Sequence, residues 1–344
     1  MGTASVHLPG FDRPAVRDAV QTIYASAWAA GRRVRSRLLA ADVAFKLLGF
    51  AVFTPLLGLA VRYGVRLSGG EVLADQDILY FFLSPLGVAV LIVLLGLALA
   101  IVALEQACLM ALGRSASEGV RMPLGGAVAF ALRRGASVLS LTLRVTARCL
   151  LLAAPFLAAL GAVYLLLLGD YDINYYLAER PPELLAAVAL AALVALGLGW
   201  VLVPRLIGWS LALPFVLFDG AAPRDALARS RRHVAGRRPV IAATLLVWGI
   251  GSFLLSLAAP AVAAGLGRLL APQARGHLDV VLALMLLLAA VYLVLGFLTS
   301  WISAAAFALL VVDLYRRFAG GADTRRSDEI RRAVARFPLP GAAA

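Results

Sequence analysis

The chain has 344 residues, is 62% hydrophobic and only 15% charged, and carries a formal charge of +13. So apolar a composition excludes an ordinary soluble globular domain, in which about a quarter of residues are charged. The positive charge alone would suit a nucleic-acid binder, but 27 of the 32 basic residues fall on one side of a series of long apolar stretches, which excludes that reading.

Taken in chain order, residues 1–40 are polar and Arg-rich and lack the apolar core of a cleavable signal peptide, so they are read as a cytoplasmic amphipathic segment. Six uncharged runs follow: Leu47–Val61, Leu86–Leu104, Cys149–Gly169, Leu184–Pro204, Val240–Gly267 and Val280–Val312. A membrane-spanning helix needs roughly 20 apolar residues, and the first run reaches that length if Lys46 extends back to the interface. Unpaired backbone groups cannot face hydrocarbon, so the spans are helices. The predicted fold is therefore all-α: a polytopic integral membrane helical bundle, with six transmembrane helices in three hairpins and cytoplasmic amphipathic helices. The domain reading is 1–40, then a transmembrane domain over 41–318, then a basic tail over 319–344 that is expected to be disordered.

Three connections between runs hold only Arg62, Arg66, Arg180, Arg268 and Arg275, against acids that include Glu71, Asp75, Asp77, Asp170 and Asp172. Basic loops stay in the cytoplasm. Both termini are thus predicted inside, in a bacterial cytoplasmic membrane. Attraction of the basic side to anionic lipid contributes about 1 kcal/mol per residue near the surface.

Each predicted hairpin is introduced by a basic amphipathic segment. Arg17-Asp18-Ala19-Val20 leads to Ala30-Gly31-Arg32-Arg33, and Arg224-Asp225-Ala226-Leu227 leads to Ala235-Gly236-Arg237-Arg238; Gly126-Ala127-Val128 and Leu132-Arg133-Arg134-Gly135 form a looser middle copy. Each reads as a short helix closed by Gly, with Pro14, Pro123 or Pro223 near its start. Leu124, Val128 and Leu132 recur every four residues and offer an apolar face to a membrane surface. Ser84-Pro85 supplies an N-cap and first-turn proline for the second span. Asp77–Phe82 and Ile173–Leu177 place aromatics at headgroup level.

The candidate site lies at the inner edge of the bundle. Glu105 follows the second run, Arg205 follows the fourth, Arg148 precedes the third with Arg144 one turn before it, and Asp313 ends the sixth. Helix rise puts these residues at one depth. Two readings follow: guanidinium groups holding a phosphate or anionic headgroup, with Glu105 as counter-ion, or interfacial residues that snorkel and pair to hold helices together. In either case Glu105 is expected to meet Arg205 or Arg148. Asp170–Pro181 resembles a calcium loop but has Tyr175 where the turn needs Gly and Pro181 where a bidentate Glu belongs. His7, His233 and His277 lie far apart, and neither Cys108 nor Cys149 has a base nearby. No metal, cofactor or catalytic set is expected.

Ile78-Leu79-Tyr80-Phe81-Phe82-Leu83-Ser84-Pro85-Leu86-Gly87, with Glu105 closing that span, resembles the membrane domain of bacterial glycerophosphodiester phosphodiesterases. So do Ala212-Leu213-Pro214-Phe215-Val216-Leu217-Phe218-Asp219-Gly220, Ala226-Leu227-Ala228-Arg229-Ser230 and Gly236-Arg237-Arg238, over roughly Phe45 to Phe318. The resemblance implies a role in phospholipid or glycerophosphodiester metabolism. It does not imply the activity: the three histidines are followed by Leu8, Val234 and Leu278, so the family's His-Arg-Gly segment is missing, and its catalytic barrel has no counterpart here. The expected function is a non-catalytic membrane protein that anchors, regulates or presents lipid-derived substrate. Its expected partners are membrane lipids and a soluble phosphodiesterase or another membrane protein. The alternative is a lipid or small-molecule transporter, and an intramembrane enzyme ranks last.

Overall fold

In the computed structural model the described residues are 13–68, 84–169, 173–274 and 278–319, and among them there is no strand. Eleven α-helices follow one another: α1 (Arg13–Ser68), α2 (Pro85–Ser117), α3 (Leu124–Arg133), α4 (Gly135–Leu167), α5 (Ile173–Glu179), α6 (Pro182–Trp209), α7 (Ala212–Asp219), α8 (Pro223–Ala235), α9 (Arg238–Ser256), α10 (Ala258–Leu270) and α11 (Leu278–Phe318). A 3-10 turn, Ala271–Ala274, follows α10. Asp77–Phe82, the calcium-like Asp170-Tyr171-Asp172 and the tail beyond Ala319 lie outside the described residues.

Six segments are long and apolar enough to cross a membrane: Pro14–Leu59, Ala89–Ser117, Gly135–Leu167, Pro182–Asp219, Arg238–Leu270 and Leu278–Phe318. Their surfaces are inverted relative to a soluble protein. Leu151, Leu166 and Trp200 are 76%, 80% and 85% exposed, far more apolar surface than water tolerates on a monomer. The chain is a multi-pass, all-helical membrane protein.

Length sets up a second layer. The 41 residues of α11 rise about 60 Å, twice the roughly 30 Å hydrocarbon thickness. The surplus is packed in protein. Ala305 to Tyr315 is the buried part of α11, and it shares one core with Ile23, Leu38, Leu112, Phe215, Leu227 and Ile241, all buried, at the arginine-rich end of the bundle. On α1 the buried positions Ile23, Ala27, Ala30, Val34, Leu38, Ala41 and Phe45 recur at three- and four-residue steps, one continuous stripe. The amphipathic N-terminal stretch thus turns its apolar face onto the protein.

The basic segments enter the long helices through sharp backbone breaks. Val34 (φ −127°, ψ 16°) interrupts α1, Arg134 (φ −94°, ψ 3°) joins α3 to α4, and Arg237 (φ −132°, ψ 18°) joins α8 to α9. Pro223 starts α8 and Pro123 caps α3, as the sequence predicts. Gly31 does not close a helix: α1 runs through it, and the break comes three residues later. Ser84 caps α2 by accepting from the Gly87 N–H at 3.1 Å. Pro55, Pro155 and Pro204 sit inside α1, α4 and α6 without ending them.

Candidate functional site

The five candidate residues separate into two groups. Glu105 faces α1. It lies beside Asp42 and Lys46 of that helix. Lys46 Nζ lies 2.5 Å from Asp42 Oδ2 and 4.7 Å from the ring centre of Phe297 on α11. Asp42 is fully buried and pairs with Lys46 through Oδ2, while its Oδ1 has no hydrogen-bond partner among the described residues. The expected contact of Glu105 with Arg205 or Arg148 does not form among the described residues. Depth alone suggested it, but α2 packs most extensively on α1, which turns Glu105 away from α4 and α6. Asp313 is likewise committed elsewhere. It accepts from Arg317 Nε at 2.5 Å, and the same guanidinium reaches Ser26 Oγ of α1 at 3.0 Å.

The arginines stand on the other flank. Arg148 places its guanidinium carbon 5.9 Å from the ring centre of Trp209, at the end of α6, a cation–π arrangement. Arg205 Nη1 donates to Val201 O of its own helix at 2.6 Å. Half-buried Arg144 makes no ion pair or hydrogen bond among the described residues. These three guanidiniums are therefore not neutralised by the acids that share their depth.

Beside them lies an apolar cavity of about 1220 Å³, somewhat above the roughly 300–1,000 Å³ of ordinary small-molecule sites. Its walls come from α4 (Leu141, Val145), the end of α6 (Ile207, Trp209) and α9 (Leu245, Trp248). Two of the hydroxyls in the wall are occupied, Thr142 Oγ1 donating to Val138 O and Ser210 Oγ to Ile207 O, while Thr146 also lines it. The indole N–H of Trp209 is buried with no acceptor among the described residues.

Sequence reasoning passed over a third cluster. Tyr315 is fully buried and its hydroxyl donates to Asp219 Oδ1. Arg114 pairs with Glu118 and stacks on the rings of Phe218 and Tyr315, 5.5 and 6.0 Å from their centres. Phe215 meets Tyr315 edge-on at 5.4 Å. Phe218 is buried in the basic-end core, and the Phe218-Asp219-Gly220 stretch leads from it to the exposed surface. Gly220 is required there: its φ is +62°, and a Cβ would lie 2.9 Å from Arg134 Nη1. The packing joins α2, α3, α7 and α11.

No group of three His, Cys, Asp or Glu side chains able to hold a metal stands together among the described residues. Cys108 is buried and Cys149 half-buried, both as free thiols.

Fold and surface place the chain among multi-pass α-helical membrane proteins. No family model, no curated protein and no solved structure matches it.

Proposed function

We propose that this chain is a non-catalytic protein of the bacterial cytoplasmic membrane, built as three hairpins with both termini inside and amphipathic helices at the inner surface. It holds an anionic, phospholipid-derived molecule at its cytoplasmic face and presents it to a soluble partner, in the manner implied by the short motifs shared with glycerophosphodiesterase membrane domains. The arrangement of the basic end supports this reading. A tightly packed core there carries outward-facing Arg32, Arg33, Arg133, Arg231, Arg232 and Arg238, while Arg144 and Arg148 stand unneutralised at the inner edge beside an apolar cavity. Guanidiniums in this state suit phosphate oxygens.

The test is purification of the full chain in mild detergent, extraction of what accompanies it, and mass spectrometry. Enrichment of anionic glycerophospholipid or glycerophosphodiester over the bulk membrane is expected. Metal-dependent release of glycerol phosphate from a glycerophosphodiester by the chain alone, above a contaminant control, overturns the non-catalytic assignment.

A further inference from the structure

The cavity is unlike an ordinary groove between lipid-facing helices, because it continues on both sides of the arginine level. Arg148 directly precedes the apolar run of α4. Toward the interior of the bundle the wall includes Leu99, Val203 and Ile250; toward the basic end it includes Leu213 and Pro239. Along α9 alone it extends from Pro239 to Ile250, about 16 Å at helix rise. An acyl chain is the apolar occupant that a membrane supplies at this depth. A peptide would bring backbone N–H and C=O groups, which an apolar wall leaves unpaired at a cost, and inorganic phosphate has nothing to fill such a space.

We propose that this cavity is a binding site for one anionic glycerophospholipid, an acyl chain lying along α4, α6 and α9 and the phosphate held by Arg148 with Arg144 one turn away. The inference rests on the lipid-holding role proposed above and gives it a place and a ligand class. Two properties of the site select the ligand. Arg148 stacks on Trp209, a residue of the wall, so a net negative headgroup is favoured over a zwitterionic one. Gly249 lines the cavity with nothing within 4 Å of where a Cβ would stand, so the space beside it is open to the chain.

The experiment uses the full chain in nanodiscs of phosphatidylcholine doped with a phosphatidylglycerol that carries a photoreactive diazirine on one acyl chain. After irradiation, adducts are mapped by mass spectrometry. Adducts are expected on cavity residues of α4 and α9, Val145 and Leu245 among them. Gly249→Trp should reduce their yield roughly tenfold, equivalent to a tenfold weaker affinity, while Gly161→Trp, outside the cavity wall and with nothing within 4 Å of its Cβ position, leaves it unchanged. Arg148→Gln should bring labelling by the phosphatidylglycerol probe down to that of the matching phosphatidylcholine probe. Unlabelled phosphatidylglycerol should compete and inorganic phosphate should not, an arm that needs no variant to fold. Equal labelling by the two probes in the wild type, adducts confined to the outer faces of the helices, or a second copy of the chain cross-linked through α9 would each overturn the site. Enrichment of anionic lipid without cavity adducts removes the site and keeps the proposed function; cavity adducts in a chain that itself releases glycerol phosphate remove the non-catalytic role and keep the site.

Discussion

Leu309 of α11 fills the space that a side chain on Gly31 of α1 would need: a Cβ there would lie 2.8 Å from Leu309 Cδ1. The other methyl of the same leucine holds Gly113 of α2 in the same way, with a Cβ to Cδ2 distance of 2.9 Å. Three long helices therefore meet at one buried knob between two glycines. Leu309 cannot swing away from one glycine without moving onto the other.

Gly31→Ala and Gly113→Ala should each lower the thermal midpoint in detergent, at a cost of about 1–3 kcal/mol for overpacking. Combined with Leu309→Ala, either loss should be partly recovered, with a coupling of about 0.5 kcal/mol or more. Gly125→Ala in α3, where a Cβ meets nothing within 4 Å, is the control and should be neutral or slightly stabilising. Strictly additive effects would show that the three helices do not share this contact.

Lys46→Met removes the cation that pairs with Asp42, beside which Glu105 also lies. Asp42 is fully buried, so the variant should lose about 3 kcal/mol of stability. Adding Asp42→Asn should restore part of that loss. A Lys46→Met protein as stable as the wild type would show that the carboxyl groups do not depend on this ammonium.

Tyr315→Phe deletes the hydroxyl that Asp219 accepts from within the core. The expected cost is about 1–3 kcal/mol, that of a buried polar group losing a partner. Since the pair is read as structural, lipid labelling at the α4–α9 cavity should be unchanged when the folded fraction is compared. A selective loss of labelling would instead assign the pair to ligand binding.

Reporter fusions test the orientation. Fusions at Gly119, in the turn after α2, and at Ala344 should report the cytoplasm, and fusions at Gly70, Asn174 and Gln273 the outside. The expectation rests on the 27-to-5 division of basic residues. A cytoplasmic signal at Asn174 would sink it.

Apolar length and punctuation made the long helices legible in the sequence: uncharged runs mark six of them, and Ser84-Pro85 and Pro223 mark starts found in the structure. The rotation of each helix about its axis was not legible. Equal depth puts Glu105 beside Arg148 and Arg205, whereas its neighbours Asp42 and Lys46 belong to α1. Packing sets rotation, and in apolar helices of nearly uniform composition small residues such as Gly31 and Gly113 decide it. The cavity was equally hidden, because an apolar wall and a lipid-facing surface are written in the same residues. On α3 the face buried in protein is Gly126, Ala127, Phe130 and Ala131, with Leu124 and Val128 half-buried against the core and Leu132 59% exposed.

The contribution of α11 to the basic-end core has a consequence for biosynthesis. Ile23 and Tyr315 belong to the same core but are separated by about 290 residues, so at ~5–20 residues per second the first helix waits tens of seconds for the last. Until Tyr315 has been made, Phe215 and Phe218 lack the ring they pack against. Nascent chains stalled before α11 therefore expose an aromatic surface at the arginine-rich end and become the natural substrates of chaperones and membrane proteases.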